Sequence, residues 1–124
     1  MKEVLAVFLG GGAGSALRYW LSGSVYRFVA PTFPYGTLTV NVLGCFLIGF
    51  LMAFFEERFV VRPLLRVFLT IGVLGGFTTF STFSYETVSL LQEGSSMSGI
   101  LNILVSLGGC LSATLLGNAL GRLL

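Results

Sequence analysis

The organisation of this chain depends on the stretch Gly75-Gly76-Phe77-Thr78-Thr79-Phe80-Ser81-Thr82-Phe83-Ser84. It lies inside an apolar run from about Pro63 to Leu91, where a membrane-spanning helix is expected. Two adjacent glycines are followed there by five hydroxyl residues interleaved with three phenylalanines. Hydrocarbon cannot hydrogen-bond to exposed backbone groups, so an irregular backbone at that depth must face protein or a water-filled path. The stretch is therefore predicted to serve function rather than packing alone.

The composition is that of an integral membrane protein, because 55% of the 124 residues are hydrophobic and only 10% are charged. A helical span needs roughly 20 apolar residues, so four spans nearly exhaust the chain. We predict an all-α integral membrane fold in a single transmembrane domain that covers residues 1–124. The predicted spans cover approximately residues 3–29, 35–55, 63–92 and 100–120.

Several functional classes are disfavoured by the residue inventory. The chain has no histidine, which excludes a histidine general base or metal ligand. Cys45 and Cys110 stand alone in apolar runs without CxxC spacing, and we interpret both as small buried residues. No nucleophile–base pair is evident, so we expect neither an enzyme nor an organic cofactor. The net charge of +2 is small and scattered, which argues against a nucleic-acid partner.

The first predicted span is rich in glycine. Gly10 and Gly14 lie four residues apart on one helical face, a spacing that lets helix backbones approach closely in lipid. Arg18 follows one turn later. It either belongs to an interfacial aromatic belt with Tyr19 and Trp20, or provides a cation that lines an anion vestibule. The residues alone leave both interpretations open.

The third predicted span is longer than a bilayer requires. Its 30 residues from Pro63 to Gln92 would extend about 45 Å as a continuous helix, against a hydrocarbon core of roughly 30 Å. The excess predicts a break, and Gly72, Gly75 and Gly76 are where we expect it.

Polar residues recur beyond that break and in the other spans. Helical spacing puts Thr79, Thr82 and Glu86 on one face, with Phe80 and Phe83 on a neighbouring face. Such a polar face must meet a pathway or another helix rather than lipid. In the second span Asn41 is the single amide, and taken alone it favours a structural hydrogen bond between helices.

The fourth span carries a polar stripe with a four-residue repeat. The stripe consists of Asn102, Ser106, Cys110 and Thr114. Serine and threonine can satisfy themselves on their own backbone carbonyls, so the stripe is either self-satisfied or a shared polar track.

Basic residues are unevenly distributed between the connections. Four spans place both termini on one side of the membrane, where five basic residues stand against Arg27 on the other side. The five are Lys2, Arg58, Arg62, Arg66 and Arg122. By the positive-inside rule this charge distribution predicts one orientation, with cytoplasmic termini.

With these patterns the chain resembles the Fluc-type (CrcB-type) fluoride channel family. The stretch from Gly75 to Ser84 is similar to that family's signature in the third span. The match extends to the first and second spans through Gly10 to Gly14, Ser15, Arg18, Gly36-Thr37, Asn41 and Gly44. The length and the four-span layout agree from end to end.

The resemblance implies a passive fluoride channel that exports fluoride across the bacterial inner membrane and so relieves fluoride toxicity. It also implies an antiparallel, dual-topology homodimer with two pores along its interface and a structural sodium ion at its centre. Dual insertion follows from the resemblance only, because the charge distribution predicts a single orientation.

The resemblance also assigns roles to individual residues. It implies a fluoride pathway formed by Asn41, Phe80, Ser81, Thr82, Phe83, Glu86, Ser106 and Thr114. It gives the backbone carbonyls of Gly75 and Thr78 to the sodium ion, whereas the vestibule role of Arg18 is expected only from its charge within the span.

Two other functions are compatible with four short spans. A small multidrug-type, proton-coupled exporter needs a membrane-embedded acid, and Glu86 is the only acid well inside an apolar run. A membrane assembly subunit without transport activity would explain the glycines as packing residues, but it leaves the alternation of phenylalanine and hydroxyl residues unexplained.

Overall fold

The computed structural model describes residues 1–58 and 61–124, and these residues form helices and no strands. The helices in chain order are α1 (Lys2–Val25), α2 (Tyr35–Glu57), α3 (Pro63–Val67), a π-helical segment (Phe68–Leu74), α4 (Gly75–Phe77), α5 (Phe80–Gln92) and α6 (Ser96–Leu123). The third span, Pro63–Gln92, is therefore interrupted. With α1, α2 and α6 it makes four helical spans that are long and apolar enough to cross a membrane.

The helix ends differ by a few residues from the predicted spans. Helix α1 ends at Val25 rather than near residue 29, and α6 begins at Ser96 rather than at residue 100. The loop predicted between the third and fourth spans is shorter than expected because Gly94 makes the turn within it. Gly94 adopts φ +82°, a left-handed conformation that favours glycine. The second connection crosses residues 59–60, which lie outside the described residues.

The glycines of α1 bring its backbone directly against the third span. A Cβ atom on Gly10 would stand 3.0 Å from the Gly72 Cα, and one on Gly14 would overlap the Val73 carbonyl oxygen. A Cβ atom on Gly76 would likewise overlap the carbonyl oxygen of Gly11. Because lipid supplies no hydrophobic drive for helix association, this close backbone packing stabilises the bundle.

Helices α2 and α6 pack side by side and run in the same direction. Gly49 of α2 lies against the backbone at Thr114, and Gly117 of α6 lies against the backbone at Phe46. Small residues again bring the two backbones close. The buried core sits between α2 and the third span, where Val40, Leu74 and Phe77 pack together.

The break in the third span falls at Thr78–Thr79, and the prediction that it falls at the glycines is wrong. Gly75 keeps helical dihedral angles, whereas Thr78 has ψ 156° and Thr79 has φ −151° and ψ 113°. Gly72 and Gly76 contribute close packing instead. The backbone departs from the helix where side chains can replace the lost hydrogen bonds, and those side chains define the site.

Candidate functional site

Asn41 of α2 binds the broken backbone through both halves of its amide. The Asn41 Nδ2 donates to the Thr79 carbonyl at 3.0 Å, and the Thr79 N–H donates to the Asn41 Oδ1 at 2.8 Å. Asn41 thus satisfies one donor and one acceptor that the break exposes, as backbone groups away from water require. The structural role inferred for Asn41 alone is present, and its amide keeps a second N–H for a ligand.

Thr79 is the N-cap of α5, the helix that follows the break, and its hydroxyl caps that helix. Its Oγ1 accepts from the Thr82 N–H at 3.2 Å and donates to the Thr82 Oγ1 at 3.0 Å. The Ser81 hydroxyl lies 3.3 Å away. A threonine N-cap is a common helix start. The sequence predicted Thr79 at the start of the pore wall, and its role as the N-cap is evident only in the structure.

Two carbonyl groups near the break lose their helical donors. The Thr79 N–H donates to Asn41 instead of to the Gly75 carbonyl, and the Thr82 N–H donates to the Thr79 hydroxyl instead of to the Thr78 carbonyl. Carbonyl oxygens are the ligands that hard cations accept. The donor chemistry of Gly75 and Thr78 therefore fits a sodium ion. The Arg18 guanidinium donates to the Thr78 carbonyl oxygen at 3.4 Å, so a cation at Thr78 would share this oxygen with Arg18.

A cavity of about 750 Å³, here called the polar cavity, opens on one side of Thr79. Its lining includes Arg18 and Arg27, and no acidic residue lines it among the residues that the structure describes. Its other polar lining residues include Ser15, Ser22, Ser24, Thr37, Thr79 and Thr82. Two cations without a carboxylate give this cavity a positive potential that attracts anions. Arg18 lines this cavity together with Arg27, for which the sequence suggested no role at a site.

A second cavity, of about 210 Å³ and here called the aromatic cavity, lies on the other side of the break. Phe80 and Phe83 line it with ring centroids 5.5 Å apart and planes inclined by 46°. The cavity is also lined by Asn41, Cys45, Thr78, Thr79, Ser106, Leu107 and Cys110. Thr79 lines both cavities, so the break separates a polar, basic space from an aromatic one.

Glu86 lies one turn beyond Thr82 on α5 and is held by α2. The Thr37 hydroxyl donates to the Glu86 Oε1 at 2.8 Å. The Glu86 Oε2 is buried and has no hydrogen-bond partner within residues 1–58 and 61–124. Thr37 also lines the polar cavity, so Glu86 is connected to that cavity through a single side chain. Thr37 can be identified as the partner of Glu86 only from the packing of α2 against α5.

The polar stripe of α6 divides into two parts. Asn102 and Ser106 belong to a polar track shared with α5, whereas Thr114 bonds to its own helix. The Asn102 Nδ2 donates to the Thr87 hydroxyl at 2.9 Å, and the Ser106 hydroxyl donates to the Asn102 Oδ1 at 3.2 Å. Ser106 also reaches the aromatic cavity. Thr114 donates to the Cys110 carbonyl of its own helix at 3.0 Å and does not line either of the two cavities.

We expect Asn102→Ala to destabilise the protein by about 1–3 kcal/mol, because it leaves buried polar partners unsatisfied. Asn102 is only 1% exposed, and it joins α5 to α6 through Thr87 and Ser106. The measurement is the thermal midpoint of the detergent-solubilised protein, followed by size exclusion. Asn118→Ala on the same helix is the matched control. Equal shifts in the two variants would contradict a special contribution from the Asn102 bonds.

The fold and the site together define a small multi-pass membrane protein built around a broken third helix. The profile of the CrcB-like protein family, Camphor Resistance (CrcB), matches residues 5–118. The chain belongs to this family, and the resemblance noted in the sequence is confirmed.

The relatives are similar along nearly their whole length. The chain is 47% identical over 124 residues to the fluoride-specific ion channel FluC of Citrifermentans bemidjiense, with complete coverage of both chains. It is 51% identical over 117 residues to the protein of that name from Geobacter metallireducens, covering 94% of each chain. It is 47% identical over 122 residues to the one from Rhizobium meliloti, covering 98% of each chain.

These findings confirm two further expectations. The protein is a multi-pass protein of the bacterial inner membrane. It is not an enzyme, because its family is one of ion channels by the names that its relatives carry.

Proposed function

We propose that the chain is a passive, fluoride-selective channel that lets fluoride leave the cell and so relieves fluoride toxicity. Family membership supports this function, because the curated relatives are named as fluoride-specific ion channels. The structural observation that carries the proposal is the polar cavity, in which Arg18 and Arg27 face hydroxyl groups without a lining carboxylate. An anion is drawn to such a space, whereas a cationic drug is repelled.

The pathway proposed for the ion passes from the polar cavity along α5 to the aromatic cavity. Fluoride is small and strongly hydrated, so neutral donors must replace its water at close range. The hydroxyls of Ser81 and Thr82 and the remaining N–H of Asn41 can do this. The Ser106 hydroxyl borders the aromatic cavity and would have to exchange Asn102 for the ion in order to donate to it. The same pathway takes Glu86 beside Thr37. Thr114 of α6 lines neither cavity of one chain, so its part in the pathway would depend on the second copy.

Phe80 and Phe83 would present positive ring edges to the ion in this scheme. Their rings are inclined rather than stacked, and both line the aromatic cavity beside Asn41. Ring edges and neutral donors bind an anion weakly enough for it to leave again, which conduction requires.

We also propose that two copies associate in antiparallel orientation, with two pores along their interface. The outer face of α5 supports this, because Phe80 is 73% exposed and both Ser81 and Thr82 are exposed on one chain. Hydroxyls and a broken backbone are costly against lipid. A second copy would cover them and would complete the wall of the aromatic cavity.

A structural sodium ion at the centre of that dimer would be held by the Gly75 and Thr78 carbonyls. Both have lost their helical donors, and Gly75 is exposed on one chain. Two carbonyls from each copy would make four oxygen ligands. The ion would replace the helical donors that the two carbonyls have lost.

The alternative is a small multidrug-type, proton-coupled exporter. The observation that favours it is Glu86, a membrane-embedded acid with one buried carboxylate oxygen that lacks a partner in the described chain. Such a protein would exchange protons for a cationic substrate. The two arginines of the polar cavity oppose that substrate.

Purified protein in liposomes is expected to release fluoride down its gradient, with chloride far slower, because the proposed donors sit in a narrow space. A fluoride electrode and a chloride electrode measure both effluxes side by side. Equal chloride efflux, or no fluoride efflux from well-folded protein, contradicts the channel. Efflux that requires an imposed pH gradient would favour the exporter.

Exchanging sodium for a large organic cation is expected to weaken the dimer and to slow fluoride efflux, because the freed carbonyls would lose their ligand. The dimer fraction is measured by size exclusion in the two salts at equal ionic strength. Potassium in place of sodium serves as the control for a general cation requirement. Indifference of both dimer and efflux to the organic cation argues against the sodium site.

A further inference from the structure

The two cysteines were interpreted from the sequence as small buried residues, but both are only half-buried and both line the aromatic cavity. Cys45 of α2 and Cys110 of α6 both line it, and both are free thiols of intermediate exposure. The parallel packing of the two helices explains the meeting, because Gly109 faces Val42 and Gly49 faces Thr114. Cys45 and Cys110 lie between these two contacts, on facing helices and in the wall of one cavity.

The lining of this cavity favours one kind of metal ion. Besides the two thiols it offers hydroxyl, amide and aromatic groups, and none of the described residues that line it is a carboxylate. Thiolates are soft ligands, and two of them are the set preferred by d¹⁰ ions that accept linear coordination. Hard divalent ions require several oxygen ligands, which this pair does not supply.

We propose that Cys45 and Cys110 form a two-thiol binding site for a single thiophilic d¹⁰ cation, of which Hg²⁺ is the probe. Binding converts one Hg²⁺ and two thiols into a neutral dithiolate, and it releases two protons without any oxidation or reduction. Neutrality suits the position inside the membrane, because burying an uncompensated charge there is costly. The bound ion would occupy the space beside Phe80, Phe83 and Asn41.

Obstruction of ion flow is the functional consequence, and this part rests on the proposed fluoride pathway. The aromatic cavity is only about 210 Å³ in volume, so an ion bound between its two thiols narrows it directly. Fluoride efflux is expected to be lost when Hg²⁺ is bound and to return when dithiothreitol removes the metal.

The site is tested first by binding, which does not depend on transport. HgCl₂ added to purified protein is expected to bind at one ion per chain, and free thiols are expected to fall from two per chain to none. X-ray absorption is expected to show two sulfur neighbours. Cys45→Ser and Cys110→Ser should each lose the metal to glutathione at concentrations that leave the parent protein loaded. Two ions per chain, mercury-linked chains, or single variants as resistant as the parent protein would overturn the site.

Efflux from the same preparations then tests the position of the site, with each variant compared to its own metal-free rate. Full inhibition of the parent protein and none of the double variant Cys45→Ser/Cys110→Ser is the expected result. A loaded parent protein that still releases fluoride at its metal-free rate would overturn the obstruction. If metal-free protein releases no fluoride, the proposed function fails, while the stoichiometry still decides whether the thiol site exists.

Discussion

Asn41→Asp is expected to abolish fluoride efflux from proteoliposomes. The aspartate can still accept from the Thr79 N–H, but its second oxygen would face the Thr79 carbonyl where Nδ2 now donates at 3.0 Å. Two acceptors then oppose each other beside the aromatic cavity, and one carries charge. A negative charge beside the pathway repels fluoride, and a barrier raised by about 3 kcal/mol would lower efflux by about 100-fold.

This substitution must be separated from a general failure to fold. Size exclusion of the solubilised variant reports on folding, and the fluoride electrode reports on efflux. Asn118→Asp introduces the same charge on α6, away from both described cavities, and serves as the matched control. Efflux at the parent rate from Asn41→Asp would remove Asn41 from the pathway and would leave the family membership untouched.

Gly14→Ala is expected to prevent correct packing of α1 and to lower the yield of monodisperse protein. Its Cβ atom would overlap the Val73 carbonyl oxygen and would stand 2.9 Å from the Phe77 N. Both are backbone atoms of the third span, which cannot move aside as a flexible side chain can. Overpacking typically costs about 1–3 kcal/mol, and contact with backbone places this case at the upper end.

Gly12→Ala is the matched control, because a Cβ atom there meets nothing within 4 Å. Both changes add one methyl group to the same helix, so their helix propensities shift equally. Thermal midpoint and size-exclusion profile are the measurements. If the two variants behave alike, the close approach of α1 to the third span does not limit stability.

The four spans and the interruption of the third could be predicted because they follow from length and polarity. Apolar runs near 20 residues match the thickness of a bilayer, and the 30 residues from Pro63 to Gln92, with eight serines and threonines, exceed it. The packing role of Gly10 and Gly14 could also be predicted, because a four-residue spacing places both on one helix face whatever lies opposite.

The position of the break could not be predicted in the same way. Glycine has the local freedom to leave a helix, yet Gly72 and Gly76 stay helical and pack against α1. The backbone opens at Thr79, where Asn41 satisfies both of its peptide groups from 38 positions away along the chain. The helix propensity of the local residues gives no information about so distant a partner.

The candidate site likewise combines features that the sequence predicts with features that only helix packing decides. Phenylalanines and hydroxyls in the third span identified α5 as its wall, because lipid does not tolerate that pattern. Which polar residues share a cavity depended on how the helices pack: Ser106 faces the aromatic cavity, whereas Thr114 bonds to its own helix. The register of α2 against α6 likewise brings Cys45 to Cys110.

The chain's own residues thus determine that it is a four-span membrane protein with an interrupted third span, because bilayer thickness and polarity act on each segment separately. Packing determines where the interruption falls and which side chains meet there. Backbone groups freed within a membrane must find partners inside the protein, and in this chain the partners come from other spans.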